Sequence, residues 1–280
     1  MTATLMQRAV LRVGEGQILV QPATKPMVEL SAVAVRYGQE LALMDATMSI
    51  ARGEFIAIVG PSGCGKSTLM KLVTGLLPPD SGTIVVDGNT VRGPIKGVGM
   101  AFQNSALLPW RTTIDNVILP LEIVQPFKKQ LRGQPARRAR AQQLLDAVGL
   151  GKFENHYPWQ LSGGMQQRAS VCRAIVHDPK LVMLDEPFAA LDAFTKEDLC
   201  ALMQDLWLRR KFTAILVTHD LREAVFLADC VYVMSGRPGC ICYRRPIDLP
   251  RPRTMEMTFE QVYVDHVHAL REKISQVRGG

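Results

Sequence analysis

Eight residues constrain this chain more than any others: Gly60-Pro61-Ser62-Gly63-Cys64-Gly65-Lys66-Ser67. They follow the unbroken apolar run Phe55-Ile56-Ala57-Ile58-Val59 and lead into a helical stretch from Lys66 to Leu76, closed by Leu77-Pro78-Pro79. An apolar run without alternation suits a strand covered on both faces, as in a parallel sheet. The pattern G-x-x-x-x-G-K-[ST] between strand and helix is that of a phosphate-binding loop. Its glycines let the chain curl so that successive backbone N–H groups point inward, and the helix N-terminus adds a partial positive charge. Gly60, Ser62, Gly63, Cys64 and Gly65 would form the cradle. Lys66 would reach the β/γ-phosphates, Ser67 would ligate Mg2+, and Thr68 is placed for a more proximal phosphate. A Gly-rich turn that binds nothing is the bland alternative, and the flanking strand and helix argue against it. The motif admits kinases, GTPases, helicases and ATPases alike, so the choice needs further motifs.

The rest of the chain reads as an α/β protein. Val28, Leu30, Val33 and Val35 form a strand-like run ending at Tyr37-Gly38, and Met48-Ser49-Ile50 suggests a second short strand. Thr83 to Gly88 carries the Asp-Gly signal of a hairpin turn. Between Gln103 and about Val176 helical patterns replace strands, which suggests an inserted helical subdomain. Leu181-Val182-Met183-Leu184-Asp185, Phe212 to Thr218 and Cys230 to Met234 are further strands. They alternate with an amphipathic helix over 195–209 and a helical segment from Leu221 to Ala228. Alternating strands and helices imply a parallel core. The expected boundaries are an N-terminal extension (1–27), a main domain (28–250, helical subdomain about 104–178) and a C-terminal tail (251–280).

Composition excludes several classes. With 280 residues, 47% hydrophobic and 22 Gly, the chain is neither disordered nor collagen-like. Cys64, Cys172, Cys200 and Cys230 stand alone and only Cys240 and Cys242 are close, so no C-x-x-C pair supports zinc or dithiol chemistry. Arg8 and Arg12 interrupt the only apolar stretch near the N-terminus, which argues against a secretory signal. No run reaches the roughly 18 apolar residues of a membrane helix. A membrane would enter through a partner.

Leu161-Ser162-Gly163-Gly164-Met165-Gln166-Gln167-Arg168 opens a helix, with Ser162 as N-cap and two glycines exposing N–H groups at its positive end. This segment resembles the L-S-G-G-Q signature of the ATP-binding cassette (ABC) family, with Met165 in place of the commoner Gln. Other positions agree with that resemblance. Leu184-Asp185-Glu186-Pro187 is similar to the family's second nucleotide motif, which implies Asp185 as a Mg2+ ligand and Glu186 as general base or water-positioner. Taken alone, both acids could be ordinary loop caps. His219, in Thr218-His219-Asp220, is implied as the switch histidine beside the γ-phosphate, though a lone His after a strand is more often a capping residue. Gln103 matches the lever glutamine that joins Mg2+ and water to the helical subdomain. Tyr37 matches the aromatic that stacks on adenine; a strand-end core tyrosine is its alternative. Ala189-Ala190-Leu191-Asp192 occupies the D-loop, where many relatives begin with Ser or Gly, and Asp192 would cross to a partner. Gly163, Gly164 and Ser162 would grip the γ-phosphate held by the partner's phosphate loop.

The resemblance covers about residues 28–235 with every expected motif in order. The fold it implies is a RecA-like P-loop NTPase core with a parallel sheet, an antiparallel β subdomain and an inserted α-helical subdomain. The stretches Phe102 to Trp110 and Tyr157 to Gln160 are similar to importers of nitrate, taurine, aliphatic sulfonates and thiamine-precursor pyrimidines. The implied machine is the ATP-hydrolysing subunit of an importer, peripheral on the cytoplasmic face of the inner membrane. Its cofactors would be ATP and Mg2+. Its implied partners are a second copy or a paralogue, integral membrane permease subunits and, indirectly, a periplasmic or extracellular solute-binding protein. A docking groove near Gln103 would be lined by Leu107, Leu108, Pro109 and Trp110, residues that could instead belong to the helical subdomain's core. Two rivals stay open: a soluble cassette of DNA repair or translation, and an ATP-binding regulatory subunit without turnover. Two cassettes or an inserted coiled coil would mark the first, and neither is present. Glu186 and His219 argue against the second. The net charge of +7 is more than covered by two basic runs, Lys128 to Arg140 and Arg237 to Arg253, so nucleic acid is not needed to explain it. Each run reads as a solvated face or as a contact to anionic headgroups.

Overall fold

The computed structural model describes residues 25–125, 133–189 and 191–278. Most of the N-terminal extension, Lys128, Lys129 and Arg132 of the first basic run, and Ala190 of the D-loop lie outside the described residues.

Two sheets form the frame. Strands β1 (Val28–Tyr37), β2 (Glu40–Ile50), β4 (Ser81–Val86) and β5 (Asn89–Thr90) make an antiparallel sheet in the order β2-β1-β4-β5. Asp87 and Gly88, both at positive φ, join β4 to β5 as the Asp-Gly signal requires. Strand β2 is much longer than the expected Met48–Ile50. Leu43, Ala46, Met48 and Ile50 are buried, but Asp45 at φ +48 shifts the register and breaks the alternation that would reveal the strand's first half.

The second sheet runs β10-β9-β3-β8-β7-β6, with β3 (Phe55–Val59), β6 (Gly99–Phe102), β7 (Leu181–Asp185), β8 (Thr213–Val217) and β9 (Cys230–Met234) parallel. Edge strand β10 (Ile241–Pro246) pairs antiparallel with β9. Strand β3 sends alternate side chains into two cores. Ile56 and Ile58 meet the inner face of the antiparallel sheet and helix α1 (Lys66–Val73). Phe55, Ala57 and Val59 meet the helices on the other face.

Those helices are α2 (Thr113–Ile123), α3 (Gln134–Ala147) and α4 (Gly163–Ile175) of the helical region, then α5 (Ala193–Arg210), α6 (Leu221–Leu227) and α7 (Gln261–Arg278). The segment read as a tail is packed: Tyr263 and Leu270 of α7 are fully buried, and the Tyr263 hydroxyl donates to Arg222 O at 2.6 Å. Sequence patterning missed β10 because an edge strand half exposed on both faces shows no alternation. Among the described residues no helix is long and apolar enough to cross a membrane.

Candidate nucleotide site

Parallel strands deliver their following loops to one edge of a sheet, where open α/β folds bind ligands. Register does this here residue by residue. Phe102 pairs with Asp185 and Asp185 pairs with Val217, so Gln103, Glu186 and Thr218-His219 emerge side by side. The phosphate loop follows β3, next to β8 in the sheet. Glu186 N donates to Val217 O at 2.8 Å, and Thr218 N donates to Ile58 O at 3.2 Å.

The loop is shaped as a cradle. Gly65 sits at φ +98, and a Cβ there would lie 2.7 Å from Leu43 Cδ2; a Cβ on Gly60 would lie 2.8 Å from Met234 O. Lys66 is buried, and its ammonium donates to Gly60 O at 3.0 Å and Pro61 O at 2.9 Å, which satisfies the charge while holding it under the loop. No side chain caps the first turn of α1, so its N–H groups are left to an anion. Ser62, Gly63 and Ser67 are exposed, Thr68 is half-buried, and Cys64 packs inward, where burial pushes its thiol pKa up.

Beside the loop, the Ser67 hydroxyl neighbours the Asp185 carboxyl. Burial raises the Asp185 pKa, and the Ser67 hydroxyl opposes it. A carboxylate and a hydroxyl held together are a hard oxygen set that fits Mg2+. Glu186 Oε2 lies 3.2 Å from His219 Nδ1, with His219 largely exposed and Glu186 more enclosed. Glu186 itself is at φ +47, a left-handed conformation uncommon outside glycine, maintained by its bond to Val217 O.

Tyr37 is 48% exposed at the end of β1, so its ring is available rather than consumed by a core. The signature segment sits elsewhere. Ser162 Oγ caps α4 by accepting from Met165 N at 3.3 Å, and Gly163 is open to solvent. A Cβ on Gly164 would lie 2.5 Å from Thr195 Cγ2, so glycine lets α4 close on the start of α5. Asp192 caps that helix through Thr195 N at 3.1 Å, which joins the D-loop to the signature. Of the proposed groove residues, Leu107 is buried in the core, whereas Pro109 and Trp110 are exposed, Trp110 at 71%.

Three supporting residues escaped the sequence reading. Buried Gln167 donates to Phe102 O at 2.9 Å, tying α4 to the residue before Gln103. Buried Asn116 shapes the 108–112 loop, accepting from Leu108 N at 2.7 Å and donating to Leu108 O, Arg111 O and Thr112 O. Buried Glu223 accepts from Thr218 Oγ1 and pairs with Lys196 at 3.0 Å, anchoring the residue before His219. A polar residue at an inward helix position is the only sequence signal for any of them.

The ABC transporter family profile matches residues 43–189. The chain belongs to the ABC transporter family. The Taurine import ATP-binding protein TauB of Yersinia pestis bv. Antiqua (strain Antiqua) is 43% identical over 218 residues, covering 78% of this chain and 83% of the relative. TauB of Escherichia coli (strain K12) is 40% identical over 225 residues, 80% and 86% of the two chains. Among solved structures, the dimeric post-hydrolysis state of the cassette MJ0796 bound to ADP and Pi superposes with a TM-score of 0.68 at 32% identity. It covers 80% of this chain and 100% of that one. The P-loop fold is thereby established, and the chain is an ABC ATPase whose cassette couples ATP hydrolysis to transport.

Proposed function

We propose that the cassette energises uptake of a small anionic or zwitterionic solute such as taurine, another sulfonate or nitrate, using MgATP. The observation that carries the ATP-hydrolysing part of this reading is the Glu186–His219 contact of 3.2 Å, made at the same sheet edge as Ser67, Asp185 and the phosphate loop. Bound MgATP would supply the γ-phosphoryl group and the charge neutralisation that its transfer needs. The chain's own residues position and polarise. Lys66 and the loop amides would hold phosphate oxygens, and Ser67, Asp185 and Gln103 would hold Mg2+ and its water. Glu186 would orient the attacking water and take up its proton, His219 holds the Glu186 carboxylate at 3.2 Å and would meet the γ-phosphate, and Tyr37 would stack on the base. Placement and charge stabilisation are most of what phosphoryl transfer needs.

One chain carries one phosphate loop and one signature, on different segments. The working unit is therefore a head-to-tail pair, with a second copy or a paralogue contributing Ser162, Gly163, Gly164 and Asp192 to the opposite site. Exposed Pro109 and Trp110, two and three residues beyond a buried Leu107, suit a contact to integral membrane permease subunits at the cytoplasmic face. A solute-binding protein outside the membrane would deliver the cargo. The likeness to the taurine-import proteins supports the sulfonate class. Glu186→Gln should reduce ATP turnover by about 100-fold or more while leaving ATP binding intact and accumulating a dimer on size-exclusion chromatography. Normal hydrolysis by that variant would overturn the assignment.

A further inference from the structure

The loop after β9, Ser235 to Cys240, belongs to none of the motifs above, yet it lies against both halves of the nucleotide site. Its ends are closed on each other: Ser235 N donates to Cys240 O and Cys240 N donates to Ser235 Oγ, both at 2.9 Å. One side is stitched to β2, where Gly239 N donates to Ala42 O at 3.0 Å and Met44 N donates to Gly239 O at 2.9 Å. The other side presses on the phosphate loop so closely that a Cβ on Gly239 would lie 2.0 Å from Cys64 O. Arg237 completes the bridge. Its Nε donates to Gly63 O at 3.0 Å, and its Nη1 pairs with Glu40, which sits three residues after Tyr37 at the start of β2.

We infer that Arg237 is a positioning residue that couples the base-side turn carrying Tyr37 to the phosphate loop, so that base and phosphates are held in one register. The inference rests on the nucleotide-site reading above. A peptide unit is planar, so a guanidinium holding Gly63 O also fixes the direction of the Cys64 N–H on the opposite side of the same plane. Gly63 is at φ +75, and the other hydrogen bond on that plane is long, Cys64 N donating to Pro61 O at 3.4 Å. Arginine suits the task because its fork addresses two acceptors at once, Gly63 O from Nε and the Glu40 carboxylate from Nη1. The Arg237–Glu40 pair adds no net charge to the site, so its contribution is geometry rather than attraction for phosphate. A lysine ammonium is a single point without the planar fork, so it cannot hold the two acceptors in the directions that Nε and Nη1 fix.

The test measures ATPase kinetics of the full-length protein carrying Arg237→Ala, Arg237→Lys, Glu40→Gln or Glu40→Ala. Arg237→Ala should raise the KM for ATP about fivefold while kcat stays within about twofold, Arg237→Lys should recover part of that rise, and Glu40→Gln should raise KM in the same direction. The signature of coupling is non-additivity: Tyr37→Ala should raise KM in the wild-type background and much less in the Arg237→Ala background. Glu40→Ala, which removes the acceptor that Gln would keep, should raise KM more than Glu40→Gln. An unchanged KM in Glu40→Ala, or fully additive effects of Tyr37→Ala and Arg237→Ala, would overturn the relay. Glu40 is exposed, so Glu40→Ala decides the matter even if Arg237→Ala fails to fold. Binding of a fluorescent ATP analogue in the Glu186→Gln background separates the two readings. A normal turnover rate there sinks the catalytic assignment, whereas a binding constant insensitive to Arg237→Ala sinks only the relay.

Discussion

Glu186 and Gly65 both occupy left-handed backbone, but for different reasons. At Glu186 the conformation turns the carboxylate away from the end of β7 toward His219, and the cost is borne by the bond from its N–H to Val217 O. At Gly65 the conformation lets the phosphate loop pass beneath Leu43 into α1, where no side chain fits. Gly65→Ala should therefore lower unfolding stability by about 1–2 kcal/mol through positive φ and a Cβ contact, and weaken ATP binding with it. Urea denaturation followed by circular dichroism, alongside nucleotide titration, checks both. The positions of Lys66, Asp185, Glu186 and His219 at strand ends are legible in the sequence, because Asp185 closes a buried run and the others lie beyond one. Their mutual distances are not, since sheet order decides which strand ends become neighbours.

At the scale of elements, the connection between α4 and β6 is the one that links the helical region to the sheet edge. Gln167 reaches from α4 to Phe102 O, and Arg173 from the same helix donates to Ser105 O at 2.7 Å and Ala106 O at 2.8 Å. One helix that opens with the signature thus holds both sides of Gln103. These bonds tie α4 to the residues on either side of Gln103. Gln167→Leu keeps the volume but leaves Phe102 O without its donor. The expected loss is about 1–3 kcal/mol in urea unfolding, and Gln167→Glu should not rescue it because a carboxylate cannot donate. The elements themselves were largely readable from the chain: the buried runs became β3, β7, β8 and β9, and the amphipathic stretch over 195–209 became α5. Strand β10 and the first half of β2 were hidden, the former by its half-exposed edge position and the latter by an irregularity at Asp45.

Across the whole molecule, the basic excess is distributed differently from its appearance along the chain. The C-terminal arginines are internal fasteners. Arg253 is buried and donates to the carbonyls of Val225, Phe226, Ala228, Ile247 and Leu249, with burial pulling its pKa down to about 10. Arg251 pairs with Asp229 at 2.8 Å and lies 4.3 Å over the Trp207 ring. Of the first run, Arg140 donates to Val176 O and pairs with Asp178. A basic concentration instead forms at the sheet edge opposite the nucleotide site. There Arg52, Arg140, Lys180, Arg210 and Lys211 line a cavity of about 620 Å³ around Asp178.

Protonation acts at the same scale. His177 is buried, and desolvation holds its pKa below the ordinary value of 6.5, as it does for His266. The unfolded chain therefore takes up these protons first, and stability present above about pH 6.5 falls as pH drops through that value. Glu54, Asp185 and Glu223, whose carboxyls burial pushes up, act with the opposite sign. The informative comparison is consequently between variants. His177→Gln should flatten the loss of urea-unfolding stability between pH 7.5 and 5.5, by about 1 kcal/mol or less at the acid end.

The chain's sequence by itself determined the nucleotide-binding class, the order of motifs and the α/β character. Those depend on local signals: a strand–glycine–helix junction, buried apolar runs and carboxylates at strand ends. Only the tertiary structure decided that His219 meets Glu186, that Gln167 holds the residue before Gln103, that a C-terminal helix completes the core, and that Arg237 bridges Tyr37's turn to the phosphate loop. Each of these joins residues tens to nearly two hundred positions apart. Such contacts are set by which strands pair and in what register, and no local pattern along a chain encodes that.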